Sequence, residues 1–368
     1  MIRLHRRQNP SRFWIYAAPL VALVLTLFSG LLLFAALGVP VGEASYAFFV
    51  EPLTTRYGLA ELGVKAAPLI IIAVALSVGF RSGVWNIGAE GQLIAGAIAG
   101  SAVALYFYEV EAIWVLPLMF LAAIAGGMLW AGIPALLRTA CNANEILTSL
   151  MLSYVAALLL SYMVHGPMRD PDGFNFPESR LFHDAATLPI LLPDSRLHIG
   201  FGIALLLVIV VWIFMSRSLP GFSLLVTGAA PRAGAFAGFG VNRAVWSSML
   251  FAGAAAGVAG LCEVAGPIGQ LLPTISPGYG FTAIIVAFVG RLHPVGVLFA
   301  GLLVALSYLG GESAQISLNL PVAVTGVFQG LLLFFLLATD VLIHFSFRPL
   351  DSTDYSRSSP SAIDQTEQ

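Results

Sequence analysis

Apolar residues recur along this chain in runs of about twenty, separated by short polar stretches. A helix of about 20 apolar residues crosses a hydrocarbon layer about 30 Å thick. The pattern therefore predicts an all-α polytopic membrane protein with about ten transmembrane helices. The predicted spans are 14–37, 62–80, 89–108, 112–137, 145–164, 198–215, 245–265, 279–291, 294–311 and 321–345.

Two polar, glycine-rich breaks interrupt the apolar pattern. The first lies within the stretch Gly83-Val-Trp-Asn-Ile-Gly-Ala-Glu-Gly-Gln-Leu-Ile-Ala-Gly96, and the second covers 266–280. Polar groups at bilayer depth are costly unless water, protein or a passing solute satisfies them. Interrupted segments in both halves of a transporter point to its binding region, although no alignable repeat joins these two. The breaks therefore indicate a transport pathway, with candidate residues Trp85, Asn86, Glu90, Gln92 and Phe281.

Several of these residues admit two roles. Glu90 opens a predicted helix, where a first-turn carboxylate stabilises the helix end by about 0.3–1 kcal/mol, and it could also face the pathway. Trp85 is either an interfacial anchor or a stacking face for a planar solute. Asn144 and Glu145 have the pattern of a helix cap followed by a first-turn acid.

Composition agrees with a membrane protein and argues against an enzyme. Charged residues make up 10% of the chain, against about 25% in soluble domains, and mean hydropathy is +0.91. Lys65 is the only lysine and no phosphate-binding loop is encoded, so we expect a transport subunit without its own ATPase site. The histidines are scattered singly, and Cys141 and Cys262 have the setting of packing residues, so no metal, cofactor, disulfide or nucleic-acid partner is predicted.

The positive charges predict the orientation. With ten spans and an internal N-terminus, twelve arginines fall on the cytoplasmic side, and Lys65 with four arginines falls outside. This partition predicts a cytoplasmic N-terminus at 1–13, a transmembrane domain at 14–345 and a disordered cytoplasmic tail at 346–368. It also predicts an outer loop at 165–197 and a cytoplasmic segment at 216–244 that contains one or two short helices.

Small residues are spaced for close helix contacts. Gly253 and Gly257 form a Gly-x-x-x-Gly pair followed by Gly260, and similar clusters occur at 95–100 and 125–127. Such spacing lets two helix backbones approach closely, which favours a compact bundle.

Three motifs resemble a known family. They are Asn86-Ile-Gly-Ala-Glu-Gly-Gln92, Asn144-Glu-Ile-Leu-Thr-Ser-Leu-Met-Leu-Ser-Tyr154 and Gly280-Phe-Thr-Ala-Ile-Ile-Val-Ala-Phe-Val-Gly-Arg-Leu-His-Pro294. Together they resemble the permease subunits of bacterial ABC importers for nucleosides and simple sugars, the BMP-dependent and ribose-like permeases, over residues 60–345. The first motif is more similar to the nucleoside branch than to the ribose branch.

The resemblance implies partners and a coupling segment. Residues 228–243 are similar to the family's cytoplasmic coupling segment, although Ala230 replaces an Asn and Phe236 replaces a Tyr. It implies an ABC ATPase subunit, a second homologous permease, an extracytoplasmic solute-binding lipoprotein and lipid of the bacterial inner membrane as partners. The implied ATPase-coupling residues are Arg232, Ala233, Ala237 and Gly238.

The solute and the transport class have alternatives. The aromatic, amide and carboxylate groups of the first break match a purine nucleoside, while the family also implies simple-sugar or branched-chain amino-acid permeases. A secondary transporter is a further alternative, in which Glu90 or Glu263 carries a coupling proton.

Overall fold

The computed structural model describes residues 2–6, 12–321 and 323–349. As the apolar pattern predicts, these residues are mainly helical. Two π-helical turns (Tyr46–Val50 and Val264–Ile268), a 3-10 turn (Asp184–Ala186) and the paired strands β1 (Ile2–Arg6) and β2 (Phe345–Pro349) complete the elements. The α-helices are α1 Arg12–Ala36, α2 Val41–Ser45, α3 Glu51–Thr54, α4 Arg56–Arg81, α5 Ala89–Tyr106, α6 Val115–Cys141, α7 Glu145–His165, α8 Ile199–Arg217, α9 Leu219–Ala229, α10 Pro231–Phe236, α11 Val241–Glu263, α12 Tyr279–Val289, α13 Pro294–Leu318 and α14 Ala323–His344.

The chain divides into two compact units. The first comprises the residues up to 37 together with those from 330 onward, and the second comprises 38–329. Within the first unit β1 and β2 pair antiparallel, and the Thr339 hydroxyl donates to the carbonyl of Ala18. Residues 346–349 lie in β2, and the rest of the predicted disordered tail lies outside the described residues. All of the site residues discussed below belong to the second unit.

Helix α4 runs through the core of the second unit. Most of its side chains are buried, including an unbroken apolar run from Ala66 to Leu76. The Thr55 side chain caps its N-terminus by accepting from the Gly58 N–H at 2.9 Å. A helix that is hydrophobic all round is one that packs on all sides, which explains why α4 shows so little amphipathicity.

The predicted close helix contacts are confirmed. A Cβ built at Gly127 would overlap the carbonyl of Gly253, and one built at Gly96 would overlap the backbone of Gly257. Helices α5, α6 and α11 therefore meet backbone to backbone through small residues. These three helices form a tightly packed group beside α4.

Six helices among the described residues are long and apolar enough to cross a membrane. They are α4, α6, α7, α8, α11 with its π-helical extension, and α13. Leu20–Ala36, Tyr279–Val289 and Gly326–Thr339 are shorter apolar helical segments. Length and composition thus support a polytopic membrane protein, while the count of about ten spans is not confirmed.

Candidate functional site

The first polar break is an ordered connection between α4 and α5. It begins at Gly83, whose φ of 74° is a conformation that glycine adopts without strain. The Asn86 and Gln92 side chains exchange two hydrogen bonds of 2.9 and 3.0 Å, and the Asn86 Oδ1 also accepts from the Gly88 N–H. Because Asn86 is 2% exposed and Gln92 1%, these amides satisfy each other inside the protein.

Helix α7 supplies acceptors for the backbone of this break and for the first turn of α5. The Glu145 carboxylate accepts from the Trp85 N–H at 3.5 Å, Ser149 Oγ from the Ile87 N–H at 3.2 Å, and Ser153 Oγ from the Gly91 N–H at 3.3 Å. The three acceptors lie four residues apart and so share one face of α7. Non-helical backbone at membrane depth needs such partners, since lipid provides none. Sequence reasoning missed this role of Ser149 and Ser153, although their spacing on an otherwise apolar helix is the signal for it.

Glu90 joins the two breaks. It is 7% exposed, and its Oε2 accepts from the Gly280 N–H at 2.6 Å. Glu90 lies in the first turn of α5 and Gly280 in the first turn of α12, so the positive ends of two helix dipoles meet at one carboxylate. A Cβ at Gly280 would overlap the backbone of Glu90, which explains the glycine. The helix-end role weighed for Glu90 is therefore present in the structure, and its role in the pathway remains a prediction.

A cavity of about 280 Å³ opens beside Glu90. Its walls combine apolar, aromatic and hydroxyl side chains with one carboxylate, a mixture typical of small-molecule sites. The Ser276 hydroxyl in its wall accepts from the N–H groups of Gly278 and Tyr279 and so fixes the start of α12. The lining residues are Glu90, Ile94, Ser153, Tyr154, Ala157, Leu160, Pro273, Thr274, Ile275, Ser276 and Phe281.

The structure divides the predicted pathway residues into two groups. Glu90 and Phe281 line the cavity together. Trp85 lies apart from it, 41% exposed, with its ring stacked on Phe288 at 6.1 Å and tilted against Phe80 at 5.3 Å. Within the described cavity the aromatic walls come from Tyr154 and Phe281, and Trp85 contributes none. Sequence reasoning did not place Tyr154 in a site.

The predicted coupling segment contains two short helices, as expected. In α10 the Arg232 and Ala233 side chains are exposed, and Phe236 is 96% exposed. Ala237 is the C-cap residue that follows α10, and Gly238 comes next with a φ of 84°. A largely apolar groove of about 420 Å³ lies beside it, between α9 and the start of α11. The segment therefore presents an exposed aromatic side chain and an exposed cation at the protein surface.

Ion pairs and hydrogen bonds order residues 165–197. Arg196 donates to both carboxylate oxygens of buried Glu61, at 2.9 and 2.5 Å, and this bonding raises the pKa of Arg196. Hydrogen bonding to Asp170 likewise raises the pKa of the partly exposed Arg180, which also contacts Asp172. Both arginines therefore stay charged near neutral pH, and the segment carries a fixed pattern of surface charge.

Other candidate groups do not form a site. Among the residues that the structure describes, no cluster of three His, Cys, Asp or Glu side chains has the geometry for a metal ion. Glu263, the possible proton carrier of the secondary-transporter alternative, is the last residue of α11 and is 9% exposed. Cys141 is exposed and Cys262 buried, and neither is paired in a disulfide.

Comparison with known proteins places the chain in one family. The chain is 38% identical to the glucose ABC transporter permease protein TsgB13 of Haloferax volcanii, over 92% of this chain and 91% of that protein. It is 31% identical to the guanosine ABC transporter permease protein NupP of Bacillus subtilis, over 89% and 94%. The nucleoside ABC transporter permease protein NupB of Lactococcus lactis is 26% identical, over 86% and 89%. The family model described as branched-chain amino acid transport system / permease component matches residues 58–337, so the chain belongs to this family of ABC transporter permeases.

Proposed function

We propose that this chain is the membrane-spanning permease subunit of an ATP-driven importer of purine nucleosides or related solutes. The observation that carries the proposal is the cavity beside Glu90, where the two polar breaks meet and two aromatic rings face a carboxylate and hydroxyl groups. Guanosine and nucleoside permeases among the relatives support the same class of solute.

The proposed topology has ten spans with both termini in the cytoplasm. The four spans beyond the six long apolar helices are α1, α5, α12 and α14, which occupy predicted spans. Helix α12 has only 11 residues, and its N-terminus is buried against Glu90 within the protein. A short helix at this depth is tolerated because its end is satisfied by protein and not by lipid.

The proposed partners bind at opposite ends of the bundle. An ABC ATPase docks on α9 and α10, where Phe236 and Arg232 are exposed. A solute-binding lipoprotein meets the ordered outer segment 165–197, whose charged side chains provide a pattern for recognition. A second, homologous permease completes the membrane unit, in the inner membrane of a bacterium.

A nucleoside fits the cavity chemistry through its planar base and its ribose hydroxyls. Base stacking on an aromatic side chain contributes about 1–3 kcal/mol, and Tyr154 and Phe281 both line the cavity. The ribose hydroxyls match the Glu90 carboxylate and the hydroxyls of Ser153 and Ser276 as hydrogen-bonding partners.

A simple sugar is the second candidate solute. The glucose permease relative is more similar in sequence than the guanosine permease relative, and hydroxyl and carboxylate groups serve a sugar as well as a ribose. A nucleoside base stacks on an aromatic wall, whereas a simple sugar has no base to stack. Replacing an aromatic lining residue by alanine should therefore weaken nucleoside uptake more than sugar uptake.

The test is uptake of radiolabelled guanosine by cells that carry the complete transport system. We expect adenosine to compete, and glucose, ribose and leucine not to compete. Tyr154→Ala and Phe281→Ala should each raise the KM about 5- to 150-fold, because each loses one stacking contact. Tyr162→Ala is the matched control, because Tyr162 is exposed on the same helix and does not line the cavity.

The remaining predicted pathway residues should also affect uptake. Asn86→Ala and Glu90→Ala should also cut uptake strongly, and Trp85→Ala less. If glucose or ribose competes and purine nucleosides do not, the nucleoside assignment is wrong and the sugar assignment replaces it.

A further inference from the structure

Residues 82–91 connect the coupling segment to the cavity wall through close backbone contacts. We propose that this segment, here named the strut, transmits the displacement of α9 to the N-terminus of α12, and that Gly228 is its positioning residue at the α9 end. The inference rests on the proposed docking of an ATPase on α9 and α10.

The first contact joins α9 to the start of the strut. A Cβ built at Gly228 would overlap the Arg81 carbonyl oxygen and lie 2.8 Å from the Ser82 Cα. A Cβ at Gly83 would lie 3.5 Å from the Gly228 Cα, so the two glycines face each other. Ser82 Oγ also donates to the Gly79 carbonyl and lies 2.7 Å from Ser248 Oγ of α11. Because backbone meets backbone here, no flexible side chain absorbs a movement of α9.

Hydrogen bonds and close packing hold the middle of the strut against α7. The stripe Glu145, Ser149 and Ser153 on α7 accepts from three of its N–H groups. A Cβ at Gly88 would lie 2.5 Å from the Ser149 carbonyl oxygen, so the strut also packs directly on the α7 backbone. The reciprocal Asn86–Gln92 pair ties the middle of the strut to the residue that directly follows it. A segment held by all of these bonds moves as a unit with α7 and not as a loose loop.

The last contact joins the strut to α12. Gly280 packs on the Glu90 backbone and donates its N–H to the Glu90 carboxylate. The next residue, Phe281, is a wall of the cavity, and so is Ser276 just before α12. A shift of the strut therefore moves the cavity wall, which links the site of ATPase docking to the site of the solute.

The test uses the complete importer in proteoliposomes, with ATP hydrolysis and guanosine uptake measured together. Gly228→Ala should keep assembly and ATP hydrolysis while uptake per ATP falls about tenfold, within the range of coupling between two sites. Gly202→Ala on α8 is the matched control, because a Cβ there meets no described atom within 4 Å. It should leave uptake per ATP unchanged.

A second variant and a second readout separate transmission from simple damage. Ser149→Ala removes one acceptor without adding volume, and it decides the outcome if Gly228→Ala does not assemble. Thr274→Cys, at the exposed cavity wall in a background with Cys141→Ser and Cys262→Ala, reports accessibility to a membrane-impermeant maleimide. ATP should change the labelling rate in the parent protein and leave it nearly constant with Gly228→Ala or Ser149→Ala.

Two results would overturn the proposal. One is that uptake per ATP is unchanged in whichever of the two variants assembles. The other is that ATP hydrolysis and uptake fall together in that variant, while ATP still changes the rate of maleimide labelling as it does in the parent protein. If the ATPase does not dock on α9 and α10, the result is different: substitutions in α10 then leave ATPase binding intact.

Discussion

At the scale of single residues, the polar groups of the first break stabilise its fold. Asn86 and Gln92 bond to each other, and Glu90 bonds to the start of α12. A buried polar group in a membrane protein needs a partner, and that partner can be protein as well as solute. Sequence reasoning treated all of these side chains as pathway candidates because their partners lie on other turns and helices.

The amide pair makes a direct prediction about stability. Asn86→Ala and Gln92→Ala should each lower the free energy of unfolding by about 1–3 kcal/mol, because each leaves a buried amide without its partner. The double variant should cost less than the sum of the two, since they remove one shared interaction. Denaturant unfolding in detergent measures these effects, with the exposed Gln315→Ala of α13 as the control. Additive losses would contradict the assigned pairing.

At the scale of elements, the irregular segments are held by specific hydrogen bonds and close packing, as the helices are. The strut uses acceptors on α7, and the close contacts of α5, α6 and α11 depend on glycines that face each other. Asn144 caps α7 by accepting from the Ile146 N–H at 2.9 Å, as the sequence pattern predicts. The hydrogen bonds among these contacts satisfy backbone N–H groups that lipid could not satisfy.

The second prediction concerns the proposed coupling segment. Ala237→Trp and Gly238→Trp should abolish uptake while membrane insertion remains normal, because a bulky side chain blocks close docking on α10. Gly238 also has a φ of 84°, which an L-residue adopts with strain. Uptake and co-purification of the ATPase are the measurements, and Gly42→Trp is the control, since Gly42 is exposed with open space around it. Normal uptake with both variants would refute the docking assignment.

At the scale of the whole molecule, the chain is a permease whose family implies an ATPase partner. It belongs to a family of ABC transporter permeases, and its sequence has no phosphate-binding loop. An ATPase can favour one conformation of the permease only if it binds the two conformations with different affinity.

The third prediction concerns the source of energy for transport. The purified chain alone should neither bind nor hydrolyse ATP. Hydrolysis should appear only when the ATPase subunit is added. Nucleotide binding by fluorescence titration and phosphate release measure the two properties. ATP hydrolysis by a preparation free of other proteins would rule out the assignment as a permease subunit, and favour an enzyme.

The sequence by itself determined the class, most helices and the family. Apolar runs near the thickness of a bilayer specify helices through local composition, and predicted spans such as 145–164 and 198–215 differ from α7 and α8 by at most two residues at either end. Gly-x-x-x-Gly spacing and the Asn144 cap are also local patterns, so they could be recognised without a fold.

Only the tertiary structure decided which polar groups meet. The Glu90–Gly280 bond joins residues 190 positions apart, and the bond between Ile87 and Ser149 spans 62. Trp85 and Tyr154 are both exposed aromatics, yet only Tyr154 reaches the cavity. Periodicity states which face of a helix is polar, but the packing of α5, α7 and α12 against one another determines what that face contacts.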